Sequence, residues 1–266
     1  MPQFRRPFSS TCRMARYQAI LAYDGTRFAG FQRQRRTNQL PTVQGLLEQA
    51  LQKLGWRGER VLYAGRTDRG VHAFGQVVAF DLEWAHPPQA LQAALNAHLP
   101  QDIAVREVRE CLPTFHPRYQ AVGRRYRYRL FCAENRNPLL ERFAWRVWPE
   151  VEVERMQTAA QQLVGKHDFA AFGSPLSERG STLREVHFAR WRVWPEEGVV
   201  SAWQFEIQAN AFLYHMVRRL VAAMVAIGQD RLPLELFQRA LQGEAVHLKP
   251  ELAPAHGLTL MEVLYS

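Results

Sequence analysis

The sequence predicts an α+β fold of two ferredoxin-like β-α-β-β-α-β halves, their antiparallel or mixed sheets joined around a basic central cleft. Three observations predict it. Apolar residues recur at strand and helix spacing in the order of that motif twice over, without any repeat of the sequence itself. The chain has 266 residues, 47% of them hydrophobic, which is enough to build cores without disulfides or metals. The formal charge of +9 is uneven: residues 1–133 carry 20 Lys and Arg against nine Asp and Glu, whereas residues 134–266 carry 14 against 16. An excess of that kind points to a polyanionic partner, most often nucleic acid.

Each element follows from local pattern. Residues 1–14 are basic, hydroxyl-rich and free of acids, and read as a disordered leader, or a start assigned too early, with no part in the fold. The N-terminal half, 15–115, opens with a strand over 16–23 that ends at the Asp24-Gly25 turn. Thr42 caps a helix whose apolar residues are Val43, Leu46, Leu47, Ala50, Leu51 and Leu54, and Gly55 stops it. Strands follow near 60–64 and 75–82, then a helix from Pro87-Pro88 to about Ala97 and a strand over 103–109. The C-terminal half, 116–266, repeats the order. Strands at 123–131 and 142–148 precede a helix from Glu152 to Leu163; strands at 183–194 and 199–208 come next. A mostly apolar helix runs from Ala211 to Ile227, Pro233 opens another to Leu241, and 258–264 supply the last strand. Two such sheets meeting edge to edge would leave a cleft for a site.

Some classes are disfavoured at once. No apolar run reaches eighteen residues, so no membrane-spanning helix is expected. Cys12, Cys111 and Cys132 have no paired spacing, which argues against a zinc site or disulfide framework and fits a reducing cytoplasm. A glycine-rich loop ending in Lys-Ser or Lys-Thr is missing, which disfavours ATP as a co-substrate.

The string most charged with chemistry is Tyr63-Ala-Gly-Arg-Thr-Asp-Arg-Gly-Val-His72. It sets Asp68 between Arg66 and Arg69 in a turn bounded by Gly65 and Gly70. Neighbouring guanidiniums favour the charged form of an acid, and a carboxylate on a basic loop suits a nucleophile or base facing an anionic substrate. The plainer alternative is a surface Asp in a salt-bridged turn. His72 reads as a structural or RNA-contacting histidine rather than a general base.

Three further strings could work with Asp68. In the strand 123–131, Arg125, Arg127 and Arg129 point to one face, while Arg124, Tyr126 and Tyr128 point to the other. Arginines can track phosphates and a tyrosine can stack on a base; the alternative is an edge strand kept soluble by arginine. In the helix beginning near Ala211, Arg218 and Arg219 lie about 100° apart on an otherwise apolar cylinder. A buried arginine needs an anion, so Arg218 is expected to pair with Asp68 or contact a substrate phosphate, with Arg219 reaching outward; Asp230 is the alternative partner. The loop 24–36 is basic and aromatic, and Arg33, Arg35 and Arg36 are candidate phosphate contacts, with Arg27 a candidate for substrate binding.

These strings together resemble the tRNA pseudouridine synthase A family. Gly-Arg-Thr-Asp-x-Gly-Val-His, Arg-Arg-Tyr-Arg-Tyr, Asn-Ala-Phe-x-x-His-Met-Val-Arg and Tyr-Asp-Gly-x-x-Phe-x-Gly-x-Gln are similar to its motifs, over about residues 16–265. Phe31 stands where the family commonly has Trp. The resemblance implies a pseudouridine synthase fold and isomerisation of uridine to pseudouridine in tRNA, at positions 38, 39 and 40 of the anticodon stem-loop. It implies Asp68 as the catalytic residue, by attack on sugar or base or by removal of a sugar proton. Tyr126 would contact the target uridine, and Arg218 would ion-pair with Asp68. Arg66 would help orient that acid, and Arg27, Arg33, Arg35, Arg125 and His72 would contribute to substrate binding. No cofactor or metal is implied; a cytoplasmic homodimer is. Two other classes remain beside it: a non-catalytic RNA-binding module of ferredoxin-like fold, and a metal-dependent nuclease or phosphotransferase with Asp24, Asp68 and Asp81 as ligands.

Overall fold

A computed structural model describes residues 13–34, 40–175, 180–196, 198–199, 201–244, 246, 248 and 251–266. Its strands are β1 (Arg13–Tyr23), β2 (Leu62–Tyr63), β3 (His72–Trp84), β4 (Ile103–Cys111), β5 (Ala121–Cys132), β6 (Trp145–Val147), β7 (Gly165–Asp168), β8 (Leu183–Val193), β9 (Ala202–Ala209) and β10 (Leu258–Tyr265). The helices are α1 (Val43–Lys53), α2 (Pro88–His98), α3 (Val153–Gln162), α4 (Met216–Gly228) and α5 (Leu234–Leu241).

All ten strands belong to a single mixed sheet, ordered β4-β1-β3-β10-β5-β9-β8-β7, with β2 on β3 and β6 on β5. Strands β1 to β4 pair as a ferredoxin-like unit, with β1 antiparallel to both β3 and β4. Strands β5, β8, β9 and β10 repeat that arrangement, with β5 antiparallel to both β9 and β10. The two units join where β10 runs parallel to β3, at Thr259↔His72 and Leu260↔Ala73. That seam lies four residues beyond Asp68. The first residues of β3 therefore fix the acid-bearing turn to both units.

Two cores lie under the helices. One gathers Tyr17, Leu21, Phe31, Leu47, Leu51, Phe80, Leu91 and Leu95 beneath α1 and α2. The other gathers Tyr128, Phe169, Phe172, Phe205, Leu220, Met224 and Phe237 around α3, α4 and α5. In α1 the Thr42 hydroxyl accepts the Gly45 N–H at 3.2 Å, which satisfies one of the helix's orphan donors. In α4, ten residues are buried, so packing rather than propensity holds this helix.

Three departures from the sequence reading have physical causes. Strand β1 begins at Arg13, so Arg13 and Met14 pair with Trp84 and Glu83 instead of belonging to a leader. Strand β7, Gly-Lys-His-Asp, goes unnoticed in the sequence because its residues have little strand preference, and pairing with β8 supplies its order. Helix α4 starts at Met216 rather than Ala211. The Asn210 side-chain oxygen accepts the Glu185 and Ala211 N–H groups, and Tyr214 bridges to Ser174, so 210–214 lies extended against its neighbours.

Candidate active site

The turn carrying Asp68 connects β2 to β3, and residues from distant strings hold it. The Val71 N–H bonds the Asp68 carbonyl at 3.1 Å and closes the turn. Gly70 takes φ +79°, a left-handed conformation natural to glycine. Thr67 is pinned twice: its hydroxyl lies 2.7 Å from the Tyr23 hydroxyl, and its carbonyl accepts the Phe31 N–H at 3.1 Å. The fully buried Gln76 donates to the Gly65 carbonyl at 2.9 Å. Gly25 lies so close beneath the turn that a Cβ there would meet the Val71 carbonyl oxygen at 2.1 Å. Gly65, by contrast, has open space around it.

The carboxylate itself is about a quarter exposed, with side-chain accessibility of 24%. Arg218 Nη1 stands 3.2 Å from Asp68 Oδ2, and the same guanidinium donates through Nε to the Ala253 carbonyl at 2.7 Å. A second cation-capable group reaches the same oxygen: His215 Nε2 is 3.3 Å from Oδ2. Tyr126 stands nearby on β5, its ring edge-on to Phe212 with centroids 5.0 Å apart. Burial pushes its phenol up to about 12, opposed by Arg124 and reinforced by the Asp68 charge. A neutral aromatic ring, a guanidinium and a carboxylate thus converge where the two units of the sheet meet.

The other residues singled out in sequence are distributed differently. Arg66 is exposed and, among the described residues, makes no ion pair with Asp68, whose nearest nitrogen groups belong to Arg218 and His215. Arg125 points through the opposite face of the sheet from Tyr126 and pairs with Glu262 at 2.8 Å. Arg27 is exposed and held by Asp102. Arg33 lies 3.1 Å from the buried Glu48. Arg35 and Arg36 fall outside the described residues. Asp230 pairs with Arg155, so it is not the partner of Arg218, and Arg219 is half-buried.

His72 is buried and spent on structure. Its Nδ1 faces the Gly25 N–H at 3.0 Å and Asp24 Oδ1 at 3.1 Å, and its Nε2 faces the His256 carbonyl at 3.0 Å. One nitrogen cannot both accept the amide and donate to the carboxylate. Burial depresses the pKa of this imidazole against the pull of Asp24, so the neutral ring with its proton on Nε2 accepts the Gly25 amide and donates to the His256 carbonyl, and Asp24 Oδ1 is left to the Thr26 N–H and hydroxyl. Both nitrogens are used within the chain, at the seam where β3 meets β10. Burial acts to raise the Asp24 carboxyl, but hydrogen bonds from Thr26 and Arg142 together with His72 outweigh it and hold that acid below its usual range.

Sequence reasoning passed over Arg124, whose guanidinium donates to the carbonyls of Ala64, Arg118 and Asn210 at 3.0–3.2 Å. Its signal was present: alternation put it on the Tyr126 face. The three aspartates of the nuclease alternative are dispersed. Asp81 pairs with Arg16 and Asp24 with Arg142, and among the described residues no three His, Cys, Asp or Glu side chains group as metal ligands. Among the described residues no helix is long and apolar enough to cross a membrane.

A family model described as tRNA pseudouridine synthase matches residues 19–120 and 159–266. The chain is similar to the tRNA pseudouridine synthase A of Limosilactobacillus fermentum, 41% identical over 256 residues that span 95% of this chain and 96% of that protein. The protein of the same name from Chloroflexus aurantiacus is 40% identical over 92% of this chain and 87% of its own length. For the Neisseria gonorrhoeae protein the figures are 38%, 96% and 94%. A likeness of that extent, carried by the strings that meet at Asp68, places this chain in the tRNA pseudouridine synthase family.

Proposed function

We propose that the protein isomerises uridine to pseudouridine in tRNA, at positions 38, 39 and 40 of the anticodon stem-loop. The observation that carries this reading is the partly open Asp68 carboxylate beside the Tyr126 ring and under the Arg218 guanidinium. The reaction is redox-neutral. The N1–C1′ bond breaks, the base turns, C5 bonds to C1′, the C5 proton leaves and N1 takes up a proton. Asp68 is the carboxylate that acts on the nucleoside, Arg218 holds it in place, and Tyr126 offers its ring to the uracil. A target base inside a stem has to be turned out before a carboxylate can reach it. The exposed Arg66 and Arg69 on either side of Asp68 are available to the RNA backbone that delivers it.

Homodimer formation and a cytoplasmic setting belong to this reading and are carried by family likeness. Equilibrium sedimentation of the full chain measures the first. For the chemistry, pseudouridine is mapped in bulk tRNA incubated with the protein and with an Asp68→Asn variant. The variant is expected to bind tRNA with near-normal affinity and to form no pseudouridine. A normal yield from the variant sinks the assignment of Asp68, and loss of binding with residual turnover points instead to a binding role.

A further inference from the structure

His215 is the one group in contact with Asp68 to which the reading above gives no task. Its backbone has φ 65° and ψ 0°, the left-handed region that an ordinary side chain enters at a cost of about 1–2 kcal/mol. That kink ends the extended segment 210–214 and starts α4. It sets the imidazole toward the turn between β2 and β3. Tyr214 stacks on the ring with centroids 3.6 Å apart and planes at 27°, which fixes its orientation. The ring's Nε2 stands 3.3 Å from Asp68 Oδ2, where Arg218 Nη1 also arrives at 3.2 Å. Among the described residues no hydrogen bond reaches Oδ1.

We propose that His215 is a positioning residue which, with Arg218, clamps one carboxylate oxygen of Asp68 and leaves Oδ1 as the oxygen presented to the nucleoside. This rests on Asp68 being the catalytic acid. Two nitrogens on the same oxygen, one from the residue that precedes α4 and one from its first turn, fix both the place and the rotation of the carboxylate; a single partner would fix only its place. The charged and titratable groups facing the imidazole are Asp68 from the turn and Arg218 and Arg219 from α4, with Tyr214 across the ring face. Burial lowers the pKa of the imidazole; Asp68 opposes that and the two arginines add to it. The ring is therefore neutral near neutral pH and gains a proton on acidification. A protonated His215 would add a second full cation to Asp68 and make the carboxylate a weaker base and nucleophile.

The test uses His215→Asn, because asparagine tolerates the left-handed backbone. Tritium release from tRNA transcripts carrying [5-3H]uridine reports loss of the C5 hydrogen under single-turnover conditions. The variant is expected to react about 10-fold or more slowly with tRNA affinity within about twofold of the parent, since misplacing a reacting group is enough to cost that much. The parent rate is expected to fall from about pH 7.5 to about pH 5.5, and the variant's rate to change much less. A variant matching the parent in rate and pH profile overturns the clamp. The second measurement is independent of turnover: 15N resonances of the His215 ring are titrated in the parent and in Asp68→Asn. The midpoint is expected to be lower without the Asp68 charge, and an unchanged midpoint overturns the proposal. If the parent releases no tritium the functional reading fails, and the ring titration still decides whether the clamp exists. The same titration decides it if His215→Asn does not fold.

Discussion

Arg218 reaches the Asp68 carboxylate with one nitrogen and the Ala253 carbonyl with another, so the planar fork of the side chain, beyond its charge, sets where the acid sits. Lysine carries the charge without the fork. Arg218→Lys is accordingly expected to lower the single-turnover rate on tRNA by about 10- to 100-fold while tRNA affinity changes little; loss confined to affinity would show that Arg218 serves phosphate instead. The Tyr23–Thr67 contact is the other decisive pair, since both side chains are buried and a hydroxyl left alone there has no water to turn to. Tyr23→Phe should destabilise the fold by about 1–2 kcal/mol in urea unfolding, and adding Thr67→Val should restore part of that loss, because the orphaned group is then gone. The Asp68–Arg218 pair was legible in the sequence because a buried arginine needs an anion and Asp68 sits in a string whose local pattern isolates it. Arg66 makes no ion pair with Asp68 among the described residues, because neighbours along a tight turn need not point the same way. Tyr23 on Thr67 and His215 on Asp68 join residues far apart in the chain, and no local pattern encodes them.

At the scale of elements, α4 shows what periodicity sees and what it misses. Its apolar residues predict a buried helix, and Leu220, Val221, Met224 and Val225 are fully enclosed. Leu220→Ala removes a fully buried side chain from a packed core, so a loss of about 2–5 kcal/mol is expected in urea unfolding; a change below about 1 kcal/mol would mean that the helix does not carry this core. The start of the same helix lies beyond that pattern. Apolar spacing continues through 211–215, and it is the Asn210 side chain, bonded to the Glu185 and Ala211 amides, that holds the segment out of the helix. That early extension puts Phe212 against Tyr126, and the left-handed His215 that ends it stands beside Asp68. The site therefore depends on five residues that do not become helix.

Over the whole molecule, the sheet is continuous because β3 and β10 meet side by side, and His72 is the residue at that seam. Two ferredoxin-like units were readable from the order of strands and helices; the parallel pairing that fuses them was not, since 187 positions separate His72 from Thr259 and nothing local encodes their meeting. The seam has a consequence for acid stability. Burial depresses the pKa of the His72 imidazole in the native state, against the raising influence of Asp24, and burial does the same to His256, two residues before β10 begins. In the unfolded chain these rings titrate near their ordinary value of 6.5. Below that value the unfolded chain binds protons that the native seam refuses, so stability is full above about pH 6.5 and declines as the pH falls toward the depressed native values. Urea unfolding at about pH 7.5 and about pH 5.5 should therefore show a lower midpoint in acid. In His72→Gln the drop between the two should be smaller, because a group that titrates only on unfolding has been removed, even though the variant starts from a lower stability. An equal drop in parent and variant would show that the acid sensitivity arises away from the seam, and would leave His72 as a packing residue without a proton-linked role.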